Sequence, residues 1–145
     1  MDRLDSLRRS QNMAAIRSKH TSPERIVRQV VHSLGWRFRL HCNGLPGQPD
    51  IVLARLRSVV FVNGCFWHRH NCSDGRLPRT NSEYWIPKLA RNRARDAENH
   101  RLLKQLGWRV LIVWECETRP KCRSSLTGKL RRFLSRATDL SPPVK

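Results

Sequence analysis

Three short apolar runs, Asp50–Ala54, Ser58–Asn63 and Trp108–Trp114, constrain this chain more than any other feature. Unbroken runs rich in Val, Ile and Leu suit strands covered on both faces rather than strands with one wet side. Helices must therefore flank the sheet that these runs build. The first helix is expected from Thr21-Ser22-Pro23-Glu24, a hydroxyl cap with Pro in the first turn and Glu three residues on, as in a capping box. Ile26, Val27, Val30, Val31 and Leu34 supply its apolar stripe, and Gly35 is the expected stop. Trp36–Leu40 alternates apolar and basic, the period of a half-buried strand. A second helix is expected from near Pro87 to Gly107, with Trp108–Trp114 as a central strand after it. A basic helix over 123–136 and a flexible tail over 137–145 close the chain. The order α-β-β-β-α-β-α predicts one α/β domain over 21–136, a mixed central sheet flanked by helices. Residues 1–20 form a basic arm in which Leu4, Leu7, Met13 and Ile16 can make a short amphipathic helix.

With 145 residues, the chain can bury roughly 68–70% of its unfolded surface. It needs neither metal nor disulfide simply to fold. Lys and Arg total 29 against 11 Asp and Glu, a formal charge of +18, which selects a polyanionic partner. Nucleic acid is the common one, with an anionic membrane surface or a ribosomal-type assembly as alternatives. No apolar run reaches membrane-span length and the first residues lack a signal-peptide core, so a cytoplasmic location is expected. Five cysteines without an export signal point to metal ligation or plain burial rather than disulfides.

The chemistry concentrates in "NGCFWHRHNC", residues 63–72. Cys65, His70 and Cys72, with Cys116 just after a strand, would make a Cys₃His zinc set, against the alternative of buried free thiols. His68 is then left for acid-base work or for the surface. Phe66-Trp67 is either core or an apolar wedge between base pairs, with Met13 as an opposing wedge or core. Asp50, after Pro49 at the mouth of a strand, is either a Mg²⁺ ligand for phosphodiester cleavage or a turn residue. Glu24 either completes the helix cap or adds a second acid near that metal.

These segments carry a resemblance. "TSPE", "LPGQPDIVL", "VVFVNGCFWHRHNC", "W..K..RN..RD" and "LGWRVLIVWEC", in this order, resemble the very short patch repair (Vsr) DNA mismatch endonucleases over roughly residues 10–117. The resemblance implies a restriction-endonuclease-like fold, a structural zinc and Mg²⁺-dependent nicking 5′ of the thymine in T·G mismatches left by 5-methylcytosine deamination. It implies Asp50 and the Val62 carbonyl as Mg²⁺ ligands, His68 as the catalytic histidine, and Glu24 as the nearby acid. The resemblance also implies Asp96 as the residue that orients His68. The zinc ligands become Cys65, His70, Cys72 and Cys116, and the intercalating residues Phe66, Trp67 and Met13. The expected partner is mismatched double-stranded DNA, with repair proteins as further partners, no membrane, and a monomeric enzyme. The chain departs from some members at Asn63, where a histidine precedes "GCFWH". Asn cannot transfer a proton, which shifts that work to His68. A zinc-stabilised binding module without catalysis is the alternative. An HNH-type nuclease fits poorly, since no ββα unit is visible.

Overall fold

A computed structural model of the chain describes residues 21–42, 44–68, 70, 72 and 81–140. The arm over 1–20, with Met13, lies outside the described residues, as does 141–145. Helix α1 spans Ser22–Ser33, followed by strands β1 (Arg39–Leu40), β2 (Ile51–Leu53) and β3 (Ser58–Asn63). Helix α2 (Ser82–Gln105), strand β4 (Arg109–Trp114) and helix α3 (Arg123–Leu140) complete the domain. The four described strands form one mixed sheet in the order β1-β2-β3-β4. The first three pair antiparallel, and β4 lies parallel to β3 after the α2 crossover.

The apolar runs divide by strand period. Ile51, Leu53 and Val60 face a core shared with Val27 and Val31 of α1, Val113 of β4, and Leu126, Leu130 and Leu134 of α3. Val52, Val59 and Phe61 face the other way, against Leu103 of α2. Both faces are thus covered, as the unbroken apolar runs require. Leu130 is fully buried, and Leu130→Ala should cost about 2–5 kcal/mol, read as a lower urea midpoint with an unchanged slope.

Several element boundaries differ from expectation, each for a local reason. Strand β1 shortens from Trp36–Leu40 to two residues, Arg39 and Leu40, paired with Val52 and Ile51 of β2. Trp36 and Phe38 instead pack against the α1 side of the core. Helix α2 begins at Ser82, five residues before Pro87, because Trp85 and Leu89 bury against Trp67. One missing N–H near the helix start is tolerated for that packing. Helix α3 runs on to Leu140 instead of ending at 136. Strand β4 is an edge of the four described strands, not a central one. Its apolar sequence reflects cover by α2 and α3, and Lys129 of α3 donates to the Ile112 carbonyl at 2.9 Å.

The expected capping box forms by half. Thr21 Oγ1 accepts the Glu24 N–H at 3.4 Å. The Glu24 carboxylate, however, is engaged by Arg28 and His41. Gly35 (φ +93°) and Gly107 (φ +91°) end their helices in the left-handed region, as expected.

Candidate active site

A cleft of about 620 Å³ opens where β2 and β3 meet the start of α1 and the middle of α2. Asp50 sits at its floor, one residue before β2. The antiparallel register brings Val62 beside it, and the Val62 N–H donates to Asp50 Oδ2 at 2.6 Å. The loop "PGQP" delivers this aspartate. Gly47 adopts φ +77°, and a Cβ there would lie 3.0 Å from the Asn99 Cβ and 3.2 Å from Phe61, so only glycine fits between the loop and α2. Glu24 enters from the first turn of α1, 3% exposed. Burial pushes the Asp50 carboxyl up to about 7 against the lowering effect of the Val62 bond, and the neighbouring Glu24 charge adds to the rise. Two carboxylates held this close, one buried and one part-buried, suit a divalent cation, whose charge would offset both. The donor chemistry fits a hard ion of the Mg²⁺ type.

The same cleft is lined by His68 and Asp96. Residues 64–68 turn tightly after β3, with the His68 N–H donating to the Gly64 carbonyl at 3.2 Å. His68 Nδ1 pairs with Asp96 Oδ2 from the middle of α2. That bond orients the ring and leaves Nε2 as the nitrogen available to the cleft. Asn92, one turn earlier on α2, donates to the Trp67 carbonyl at 3.3 Å and ties the same turn to the helix. Asn63 is buried at the cleft edge, 6% exposed. Arg95 also lines the cleft and brings a positive charge to it.

Cys65, His70, Cys72 and Cys116 converge, with their donor atoms all within 4.8 Å of one another. The cause is sheet register. β3 and β4 end level at Asn63 and Trp114, so Cys65 and Cys116 each follow a paired strand end by two residues. His70 Nδ1 lies 3.6 Å from Cys116 Sγ, and its ring stacks on Trp114 at 4.1 Å. Burial pushes the Cys65 and Cys116 thiols up. Three thiols and an imidazole in this compass match a tetrahedral zinc set, which would reverse those shifts.

The aromatic pair splits. Trp67, read from the sequence as core or as a wedge, takes the core position: it is 6% exposed and packed with Trp85 and Leu89 of α2. Phe66 is only partly buried and meets Trp67 and Trp85 edge-on at 5.4 and 5.1 Å. Trp67 turns inward because α2 offers it an apolar slot next to the turn.

The family model for DNA mismatch endonuclease Vsr matches residues 1–74. The chain is 49% identical over 133 residues to the type II nicking enzyme V.XorIIP of Xanthomonas oryzae, covering 92% of this chain and 96% of that protein. It is 39% identical over 133 residues to DNA mismatch endonuclease Vsr of Escherichia coli, covering 90% and 85%. The chain belongs to the Vsr DNA mismatch endonuclease family. A further relative, the nicking enzyme V.NmeAIP of Neisseria meningitidis, is 40% identical over 128 residues. As a Vsr-family protein the chain is a DNA endonuclease, a hydrolase whose substrate explains the +18 charge. None of its described helices is long and apolar enough to cross a membrane.

Of the residues the sequence singled out, Asp50, Val62, Asn63, His68, Glu24 and Asp96 all line this Vsr-family cleft. The sequence reading missed His41, which lies 2.7 Å from Glu24, as well as Asn92 and Glu115. Glu115 Oε1 accepts the Cys65 N–H at 3.4 Å and so joins the two strand ends at the Cys/His cluster. Asn92 and Glu115 stand inside the motifs "W..K..RN..RD" and "LGWRVLIVWEC", whereas no spacing signal marks His41, which reaches the site only through pairing of distant segments.

Proposed function

We propose that this protein is a Mg²⁺-dependent endonuclease that nicks one DNA strand 5′ of the thymine in T·G mismatches arising from 5-methylcytosine deamination. The observation that carries this reading is a carboxylate pair, the part-buried Asp50 and the buried Glu24, lining one cleft together with a carboxylate-oriented histidine, His68. Mg²⁺, when bound, would polarise the phosphate and stabilise the charge that develops on it. Asp50 and the Val62 carbonyl would hold it. His68 takes the proton of the attacking water through Nε2, while Asp96 fixes the ring and stabilises its charged form. Asn63 cannot share that proton, so it positions groups by hydrogen bonding. Glu24 shapes the metal side of the cleft. Cys65, His70, Cys72 and Cys116 hold a structural zinc that fixes the turn bearing Phe66 and His68.

Phe66 is the part of the aromatic pair that leads into the base stack, with Trp67 and Trp85 as its base and Met13 of the arm as the opposing wedge. Wedge insertion costs a few kcal/mol of unstacking and costs least at a mispaired step, which favours a mismatch over a paired duplex. A panel of end-labelled duplexes tests this, with every mismatch placed in several sequence contexts. T·G should be nicked on the thymine strand in preference to all others. Phe66→Ala should lower that preference about tenfold or more, since one lost wedge removes a term of over 1.4 kcal/mol. Equal cleavage of all mismatches and of T·A duplex would overturn the reading.

A further inference from the structure

The antiparallel ladder extends one step beyond β1. The His41 N–H donates to the Asp50 carbonyl at 3.3 Å, next in register after Leu40 and Ile51. His41 therefore stands directly across from the residue at the floor of the cleft. Its backbone sits at φ +47°, in the left-handed region that a residue with a Cβ enters at a cost. The side chain lies inside the cleft and is 10% exposed. Nε2 is 2.7 Å from Glu24 Oε2 and 3.9 Å from Asp50 Oδ1. One donor atom from each of Glu24, His41 and Asp50 lies within 4.8 Å of the others. In an octahedral shell with bonds of about 2.0–2.1 Å, adjacent donors stand about 3 Å apart and opposite donors about 4.2 Å. The two His41 distances fall close to these spacings. Arg28, one turn along α1, pairs with the same Glu24 and steadies the carboxylate from the helix side.

We propose that His41 is a nitrogen ligand of the divalent cation at the Asp50 centre, which makes this cleft a mixed carboxylate and imidazole site. The inference deepens the divalent-metal reading above and rests on it. Its consequence is metal preference. Mg²⁺ prefers oxygen ligands and keeps its waters, whereas a first-row transition ion gains from an imidazole. This chain should therefore bind Mn²⁺ more tightly than Mg²⁺ by a margin that depends on residue 41.

Zinc-replete protein, titrated with Mn²⁺ in the absence of DNA, provides the test. Free Mn²⁺ is followed by electron paramagnetic resonance, and pulsed measurements on the bound ion report coupling to ¹⁴N. His41→Asn is the first variant, because asparagine tolerates the left-handed backbone but supplies no imidazole. His41→Gln is the second. Both should bind Mn²⁺ at least about tenfold more weakly than wild type, since losing even an outer-sphere partner typically costs that much. The ¹⁴N coupling should be present in wild type and in His68→Gln, and lost in both His41 variants. Coupling that survives in the His41 variants, or Mn²⁺ affinity equal to wild type, overturns the assignment. So does a wild type that binds no Mn²⁺ yet nicks DNA in Mg²⁺. In those cases the divalent-metal reading still stands if Asp50→Asn abolishes metal-dependent nicking, and falls with the inference if it does not.

Discussion

Asp50→Asn is expected to abolish nicking and, at the same time, to make the folded protein more stable near neutral pH. The first effect follows from losing the carboxylate at the cleft floor. A catalytic metal supplies several kcal/mol of transition-state stabilisation, so the rate should fall about 10³-fold or more. The second follows from burial. The Asp50 side chain is 23% exposed, and its carboxyl is raised to about 7 from an ordinary 3.8. A carboxyl raised on folding favours the folded state fully below its unfolded value, and that benefit is lost as pH climbs through about 7. Above that pH the native protein holds a buried charge beside Glu24. Asparagine keeps the shape and removes the charge. The variant should gain about 2 kcal/mol at pH 8, or about 4–8 °C in Tm, in Mg²⁺-free buffer without chelator. At pH 5 the gain should be smaller, because the native carboxyl is neutral there while the unfolded one is still ionised, and it should vanish only below the ordinary value of 3.8. A variant less stable than wild type at pH 8 would contradict this account of the cleft.

Cys65→Ser is expected to remove the bound zinc and the nicking activity together. Wild type should carry about one zinc per chain by elemental analysis. Cys65 is fully buried between the ends of β3 and β4, and its thiol is pushed up by that burial. Zinc uptake must therefore displace thiol protons. At neutral pH it should release about three protons per zinc, and affinity should fall as pH is lowered. Without zinc the turn through Phe66 and His68 loses its anchor, so strand cleavage should drop sharply even in saturating Mg²⁺. Much of the helix signal should survive, because the cores around Val60 and Val59 contain none of these ligands. Wild-type activity in a zinc-free Cys65→Ser protein would sink the structural role.

Much of this was legible in the sequence, and the reasons differ by element. The strands at 51–53, 58–63 and 109–114 announced themselves because a sheet covered on both faces demands unbroken apolar runs. Their order in the sheet was not legible. Placing β4 at the edge depends on which strand the α2 crossover returns to, and strand composition does not encode that. The start of α2 was hidden because Pro87 reads as a first-turn residue, while the force extending the helix is the packing of Trp85 on Trp67. In the cleft, Asp50 and His68 stood out through their neighbours in the chain. His41 did not, because it acquires meaning only when β1 pairs with β2 and sets it against Asp50. Glu24 was ambiguous for a related reason. Its N–H serves the helix cap while its carboxylate lines the cleft, and the sequence alone favours the cap, since it does not show where the helix start points.

The most direct test of the central claim is strand scission of a T·G duplex, labelled separately on each strand, with Mg²⁺ present or omitted. Wild type should cut only the thymine strand, immediately 5′ of the mismatched thymine and only with Mg²⁺, while Asp50→Asn leaves the duplex intact. Cleavage that persists without divalent metal, or that Asp50→Asn performs at the wild-type rate, would contradict the account.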